Sequence, residues 1–313
     1  MQYLRQRVAA LLFTLFVACA ITFVVFNVIP GDPALLIMGT EADPEVLDTL
    51  RQTLGLDLPL HRQFFRWVKA VTKGDLGTSL RMGQPVAALI KERLPVTLSL
   101  AALAMVFTLG FSVIAGAYAA SHRGRPIDFL IVIMSQIGLA IPHFWLGILL
   151  MLLFSLRWKL LPPGGFVQWH TDPRQAFLSL LLPAVALASH RVASLTRITR
   201  AAMLDILSQD YIRASRSRGI SHTVVIYQHA LKNSLVPIIT VAGMQFAGLL
   251  AGSVVAEEVF ALPGLGRLLL QAIGYRDLPL VQGIALFMAV MVVSVNFITD
   301  MLYLLLDPRI RYE

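Results

Sequence analysis

Val8-Ala-Ala-Leu-Leu-Phe-Thr-Leu-Phe-Val-Ala-Cys-Ala-Ile-Thr-Phe-Val-Val-Phe-Asn-Val-Ile29 runs through 22 residues without one charge. A bilayer core is crossed by about 20 apolar residues in a helix. The run exceeds the roughly 7–15 residues of a secretory h-region, and no small-residue cleavage signature closes it. It reads as a membrane span. Five further stretches approach the same length: Val96–Ala120, Phe129–Leu156, Phe177–Leu195, Leu235–Ala256 and Leu280–Leu306. The chain is 57% hydrophobic and 14% charged, where a soluble domain carries about 25% charge. Too few polar groups remain to cover a water-facing globule. The expected fold class is therefore all-α, a polytopic membrane protein with six transmembrane helices.

Pro142 falls in the third span, Pro183 in the fourth, and Pro237 near the start of the fifth. Prolines are tolerated in spans where neighbouring helices or cavities re-satisfy the freed carbonyls, so kinked, bundled helices are expected. The single cysteine, Cys19, lies within the first run and excludes both a disulfide framework and a cysteine-based metal site.

The formal net charge is +8. With the N-terminus in the cytoplasm, the inner segments carry 13 Lys and Arg and the short outer segments five. The longer outer segment, 31–95, balances eight basic residues with eight acidic ones. The positive-inside rule then places both termini in the cytoplasm. The surplus charge is topological, and a nucleic-acid partner is not expected.

Segment 31–95 has helix grammar of its own. Asp43-Pro44-Glu45 is an N-cap followed by proline at the first helical position, and Gly55 is placed to stop that helix. Leu60, Phe64, Trp67, Val68 and Val71 recur at helical spacing. Gly74-Asp-Leu-Gly77 is a turn, and Val86, Leu89, Ile90 and Leu94 mark one more amphipathic segment. A cap over the outer helix ends and a docking surface both fit this pattern.

Between the fourth and fifth spans lies a basic elbow, Asp210-Tyr-Ile-Arg-Ala-Ser-Arg-Ser-Arg-Gly219, continuing Ile220-Ser221-His-Thr-Val-Val-Ile-Tyr-Gln-His-Ala-Leu-Lys-Asn233. Ser208, Gln209 and Asp210 can start a helix that Gly219 ends. Ser221 can cap a second short helix, with Val224, Tyr227 and Leu231 along one face. Binding of anionic lipid accounts for Arg213, Arg216 and Arg218. It does not account for the glycine break or the second amphipathic helix.

The elbow resembles the cytoplasmic coupling loop of ABC importer permeases, whose consensus is Glu-Ala-Ala, three residues, Gly, nine residues and a hydrophobic-Leu-Pro ending. Arg213, Ala214 and Ser215 stand at the Glu-Ala-Ala positions, Gly219 at the glycine, and His229-Ala-Leu231-Lys232 at the ending. The replaced Glu, second Ala and Pro are typical of the dipeptide, oligopeptide and nickel branch. Further words resemble that branch in order: Ile29-Pro-Gly-Asp-Pro-Ala34, Leu54-Gly-Leu-Asp-Leu-Pro-Leu60, Gly74-Asp-Leu-Gly-Thr-Ser79, Arg93-Leu-Pro-Val-Thr-Leu98 and Ile141-Pro-His-Phe-Trp145. Val259-Phe-Ala-Leu-Pro-Gly-Leu-Gly266, Arg276-Asp-Leu-Pro-Leu-Val-Gln282 and Leu306-Asp-Pro-Arg-Ile-Arg311 complete the series.

The resemblance implies a passive path in a bacterial or archaeal cytoplasmic membrane. This path is shared with a second homologous permease, opened by two ATP-binding subunits and fed by an extracytoplasmic solute-binding protein. It divides the chain into a first span (1–30), an outer helical loop (31–95), a five-helix core (96–306) with its coupling loop at 198–233, and a tail (307–313). Asp210, Tyr211, Arg213, Ala214, Arg216, Arg218, Gly219, Ile220 and Ser221 would meet an ATPase. The chain has no G-x-x-x-x-G-K-[ST] loop, so no cofactor is expected on it; ATP and Mg would be held by the partner ATPases.

Polar residues in spans are functional suspects. His143, Gln245, Glu257, Glu258 and Asp300 are candidate pathway or gate residues. Each has a plainer account: a histidine satisfied by a proline-freed carbonyl, a hydrogen-bond hub at Asp300, carboxylates snorkelling to water at 257 and 258. Gly248-x-x-x-Gly252 favours close helix packing, at a partner interface or within the bundle. A metal site on the chain is not expected, although cargo of the nickel or metal-chelate kind stays open. An ion-gradient carrier would show acid relays and an internal repeat of broken helices, and neither is evident. An enzyme is not expected, because no H-E-x-x-H or G-x-S-x-G occurs.

Overall fold

A computed structural model describes residues 2–28, 43, 45, 48 and 57–306. The words at 29–34 and 307–311, the tail 307–313 and the expected helix stop at Gly55 lie outside the described residues. The described residues form helices α1 (Gln2–Val28), α2 (Leu60–Thr72), α3 (Val86–Ser121), α4 (Pro126–Ala140), α5 (His143–Leu150), α6 (Pro173–Leu207), α7 (Asp210–Ser217), α8 (His222–Val259), α9 (Leu265–Gly274) and α10 (Leu278–Leu306). Five of these, α1, α3, α6, α8 and α10, are long and apolar enough to cross a membrane, and the bent pair α4–α5 makes a sixth if counted as one span.

Helix α3 runs for 36 residues, about 54 Å at 1.5 Å per residue. The amphipathic stretch from Val86 and the second span are thus one continuous helix, not two elements. Pro95 lies inside it. Pro183 is likewise carried within α6 and Pro237 within α8. Pro142 behaves differently. Ile141 is extended at φ −80, ψ 122, the conformation that a following proline imposes, and the chain turns by 98° between α4 and the segment His143–Arg157, which is α5 continued by a π-helical stretch at Met151–Arg157. The apolar stretch expected over Phe129–Leu156 is therefore broken at Pro142 rather than kinked.

The chain forms two compact units, 1–95 with 267–293 and 96–266 with 294–313. In the first, Phe64 and Trp67 of α2 pack on Phe23 of α1, with ring centroids 5.3 and 5.9 Å apart. This is the apolar face that the spacing from Leu60 to Val71 predicts. Asp43 accepts the Glu45 amide at 3.1 Å, as an N-cap should. Gly74 and Gly77 have φ of +82 and +86, so the expected turn forms at the residues free to adopt the left-handed region.

In the second unit, α6 packs against α4, α5 and α8. Small residues set the approach: a Cβ on Gly116 would meet the Thr196 carbonyl and Thr199 on α6, and one on Gly138 would lie 3.1 Å from Ala193 Cβ. Large apolar side chains elsewhere face outward, among them Phe13 of α1, Ile114 of α3 and Phe129 of α4. Such faces suit a lipid or subunit neighbour.

Candidate functional site

The elbow is built from a short helix and a stop. Gln209 is extended and precedes α7, whose first turn carries Asp210 paired with Arg213 on an exposed surface. The end of α7 is a Schellman arrangement: the Ile220 amide donates to the Ser215 carbonyl at 3.3 Å, and the Gly219 amide to the Arg216 carbonyl at 3.0 Å. Gly219 supplies the left-handed φ of +78 that this geometry requires. The sequence expectation for Gly219 matches this geometry.

The expectation for the second helix is corrected. Ser221 is extended, but its side chain caps nothing. From His222 the helix does not end after a few turns; it continues to Val259 as α8, through a π-helical stretch at Val225–Leu231. The wider π turn shifts the side-chain register. Val225, Ile226 and Ala230 are the buried face, and Tyr227 is exposed.

Two contacts hold the elbow. Ile212 is fully buried, so α7 keeps one anchor while Ala214, Arg216 and Arg218 stay exposed. Tyr211 Oη accepts from Asn233 Nδ2 at 2.9 Å, tying α7 to α8. Beneath, Ile226 and Ala230 pack with Ala117 and Ala120 of α3 and Met203 of α6. Arg216 lines, with His122, Arg123, Arg125 and His222, a cavity of about 330 Å3. The neighbouring turn is fixed by Asp128, which accepts Arg200 Nε at 2.6 Å and Nη2 at 2.7 Å and the Gly124 amide at 3.0 Å.

The candidate gate residues separate. Glu257 is fully buried while Glu258 is exposed, so the snorkelling account does not apply to Glu257. Its carboxylate accepts Thr97 Oγ1 at 2.8 Å, Ser253 Oγ at 2.9 Å and the Gly266 amide at 2.7 Å. Thr97 in turn accepts the Leu265 amide at 2.9 Å. The words around Thr97 and Gly266, far apart in sequence, meet on this one carboxylate. Asp300 is half-buried in α10. His143 Nε2 is buried with no hydrogen-bond partner among the described residues, so no proline-freed carbonyl satisfies that ring nitrogen. His143 lies within electrostatic range of His190 and Arg191. Gln245 is buried, its Oε1 without a partner among the described residues. Gly248 faces Arg191 and Gly243 faces Thr299, both contacts inside the second unit. Thr97 and the pair Asp128 with Arg200 went unread in the sequence, since their partners lie 72 to 168 residues away.

The model of the binding-protein-dependent transport system inner membrane component matches residues 112–312, and that of the N-terminal part of such membrane components matches residues 1–101. A protein of Brucella abortus (strain 2308), named for a peptide transport system permease, is 44% identical over 98% of both chains. The glutathione transport system permease protein GsiC of Escherichia coli (strain K12) is 38% identical over 100% of both. Among solved structures, an inward-facing MetNI methionine ABC transporter chain aligns at a TM-score of 0.60 and 19% identity, covering 72% of this chain and 100% of that one. A chain of an amino acid ABC transporter aligns at 0.51 and 19%, over 69% and 93%. The chain therefore belongs to the family of binding-protein-dependent transport system inner membrane components, as a multi-pass permease subunit of an ABC importer.

Proposed function

We propose that this permease carries small peptides, di- or oligopeptides or glutathione-like tripeptides, delivered by a solute-binding protein. The observation that supports the substrate class is near-full-length similarity to permeases named for peptide and glutathione transport. In this reading α4 and α5 together form one span, six spans cross the membrane, both termini are cytoplasmic, and segment 31–95 faces the binding protein. The translocation path is completed by a second, homologous permease.

The elbow is the coupling element. Its support is geometric: α7 is a lever with one buried anchor, Ile212, one clasp, Tyr211–Asn233, and a glycine stop, with charged residues left outward. A partner ATPase, binding ATP and Mg, would grip Arg213, Arg216 and Arg218. Because α8 begins directly after the elbow, displacement of α7 is passed to a spanning helix without an intervening flexible loop.

Reconstitution with its partner subunits and binding protein in proteoliposomes tests this. Uptake of a labelled di- or tripeptide requires ATP. Gly219→Pro, or Arg216→Glu with Arg218→Glu, leaves insertion intact and abolishes uptake. Unchanged uptake in those variants removes the coupling assignment. Uptake driven by an ion gradient without any ATPase overturns the whole reading.

A further inference from the structure

Arg191 stands near the middle of α6, a helix running from Pro173 to Leu207, and is half-buried. It has no hydrogen bond or ion pair among the described residues. Arg200, on the same helix, shows the usual solution, a two-point grip on Asp128 at 2.6 and 2.7 Å. Arg191 has no such carboxylate. Its neighbours within electrostatic range include His143 and His190, which add no negative charge. A cation withdrawn from water without a counter-charge is costly, and within a span it marks a functional position.

The surroundings keep that cation open to a ligand. A Cβ at Gly248 of α8 would lie 2.9 Å from Arg191 Nη2 and 3.1 Å from Nη1, and one at Gly252 would lie 3.9 Å from Nη2. The guanidinium therefore rests on a strip of α8 that lacks side chains. Gln245 shares this strip, one turn before Gly248, and its buried Oε1 has no donor. His143 Nε2 is also buried without a partner.

We infer that Arg191, seated on Gly248 and Gly252, is a carboxylate-binding station in the translocation path, with Gln245 Oε1 placed to accept an N–H from the same solute. A planar guanidinium pairs with a carboxylate through two parallel bonds, and a peptide carries both its terminal carboxylate and N–H donors. The ligand class rests on the peptide-import reading given above.

The test uses the assembled transporter. Binding of a dipeptide and of its C-terminal amide to the wild-type complex is measured without the binding protein, so that selection by that protein plays no part. The free-carboxylate form binds about ten- to a hundred-fold more tightly, the range for a charge-assisted pair. Equal affinity, including no detectable binding of either form at millimolar concentration, overturns the station. In proteoliposomes, Arg191→Gln lowers the turnover of uptake about ten-fold or more while ATP hydrolysis stimulated by loaded binding protein stays near wild type, and Arg191→Lys restores part of the loss. Wild-type uptake in Arg191→Gln also overturns the station, and leaves peptide import standing. Failure of the wild-type transporter to import any peptide overturns the substrate reading instead.

Discussion

Ser79 donates its hydroxyl to the Asp277 carboxylate at 2.5 Å, closing 198 residues of chain on one buried group. The same carboxylate accepts the amides of Leu80 at 3.2 Å and Arg81 at 3.3 Å, while Ser79 Oγ accepts the amide of Met82 at 3.0 Å. Arg81 lies over the Tyr275 ring at 3.6 Å from its centroid. The turn after Gly77 is thus clamped to the segment between α9 and α10 by one acidic side chain that is 2% exposed.

Asp277→Ala leaves a buried hydroxyl and three amides, those of Leu80, Arg81 and Leu280, without their acceptor. Loss of charge-assisted hydrogen bonds of this kind costs about 3 kcal/mol or more in total. The purified protein should melt at lower temperature and its 78–85 turn should become protease-sensitive, while Ser79→Ala should cost only about 1 kcal/mol. A melting point for Asp277→Ala equal to wild type contradicts the clamp.

The contrast between Glu257 and Glu258 gives a second expectation. Glu257→Ala removes the acceptor of Thr97, Ser253 and Gly266, and should destabilise by about 2–4 kcal/mol. Glu258→Ala, at an exposed position, should fall within about 0.5 kcal/mol of wild type. Thermal unfolding of the two variants side by side settles the ranking.

Arg200 and Asp128 form the paired group beside the elbow, with side chains 27% and 4% exposed. Asp128→Ala strands a partly buried guanidinium and should cost about 3 kcal/mol. The double replacement Asp128→Ala with Arg200→Met should recover much of that loss, because neither charge is then left alone. A double-mutant cycle with no coupling energy argues against the pair.

Gly219 has nothing within 4 Å of where a Cβ would stand, so only its backbone constrains it. Gly219→Ala should therefore cost about 1–2 kcal/mol, the left-handed penalty, and weaken coupling without blocking assembly. Gly219→Asn, a residue that visits this region, should behave closer to wild type. Peptide uptake and stimulated ATP hydrolysis measured on both variants report whether the stop matters as geometry.

Much of this molecule was legible in the chain itself. The uncharged run Val8–Ile29 and its five counterparts define a membrane protein, because apolar length against bilayer thickness is a local property. Pro142 marks the break between α4 and α5 and Gly219 the end of α7 for equally local reasons, a missing donor and a missing Cβ. Helix continuity was less legible. The expected short helices at Val86 and Ser221 are the first turns of α3 and α8, since amphipathic turns can fuse to a span whenever no stop residue intervenes.

What only the tertiary structure decided is which polar groups satisfy one another. From sequence, Glu257 and Glu258 are equivalent neighbours; in the fold one is walled in by Thr97, Ser253 and Gly266 and the other meets solvent. Arg191 and Arg200 are two cations on one helix, yet among the described residues only Arg200 of the two finds a carboxylate. Pairing depends on distances between residues far apart in the chain, and those distances exist only once the helices have packed.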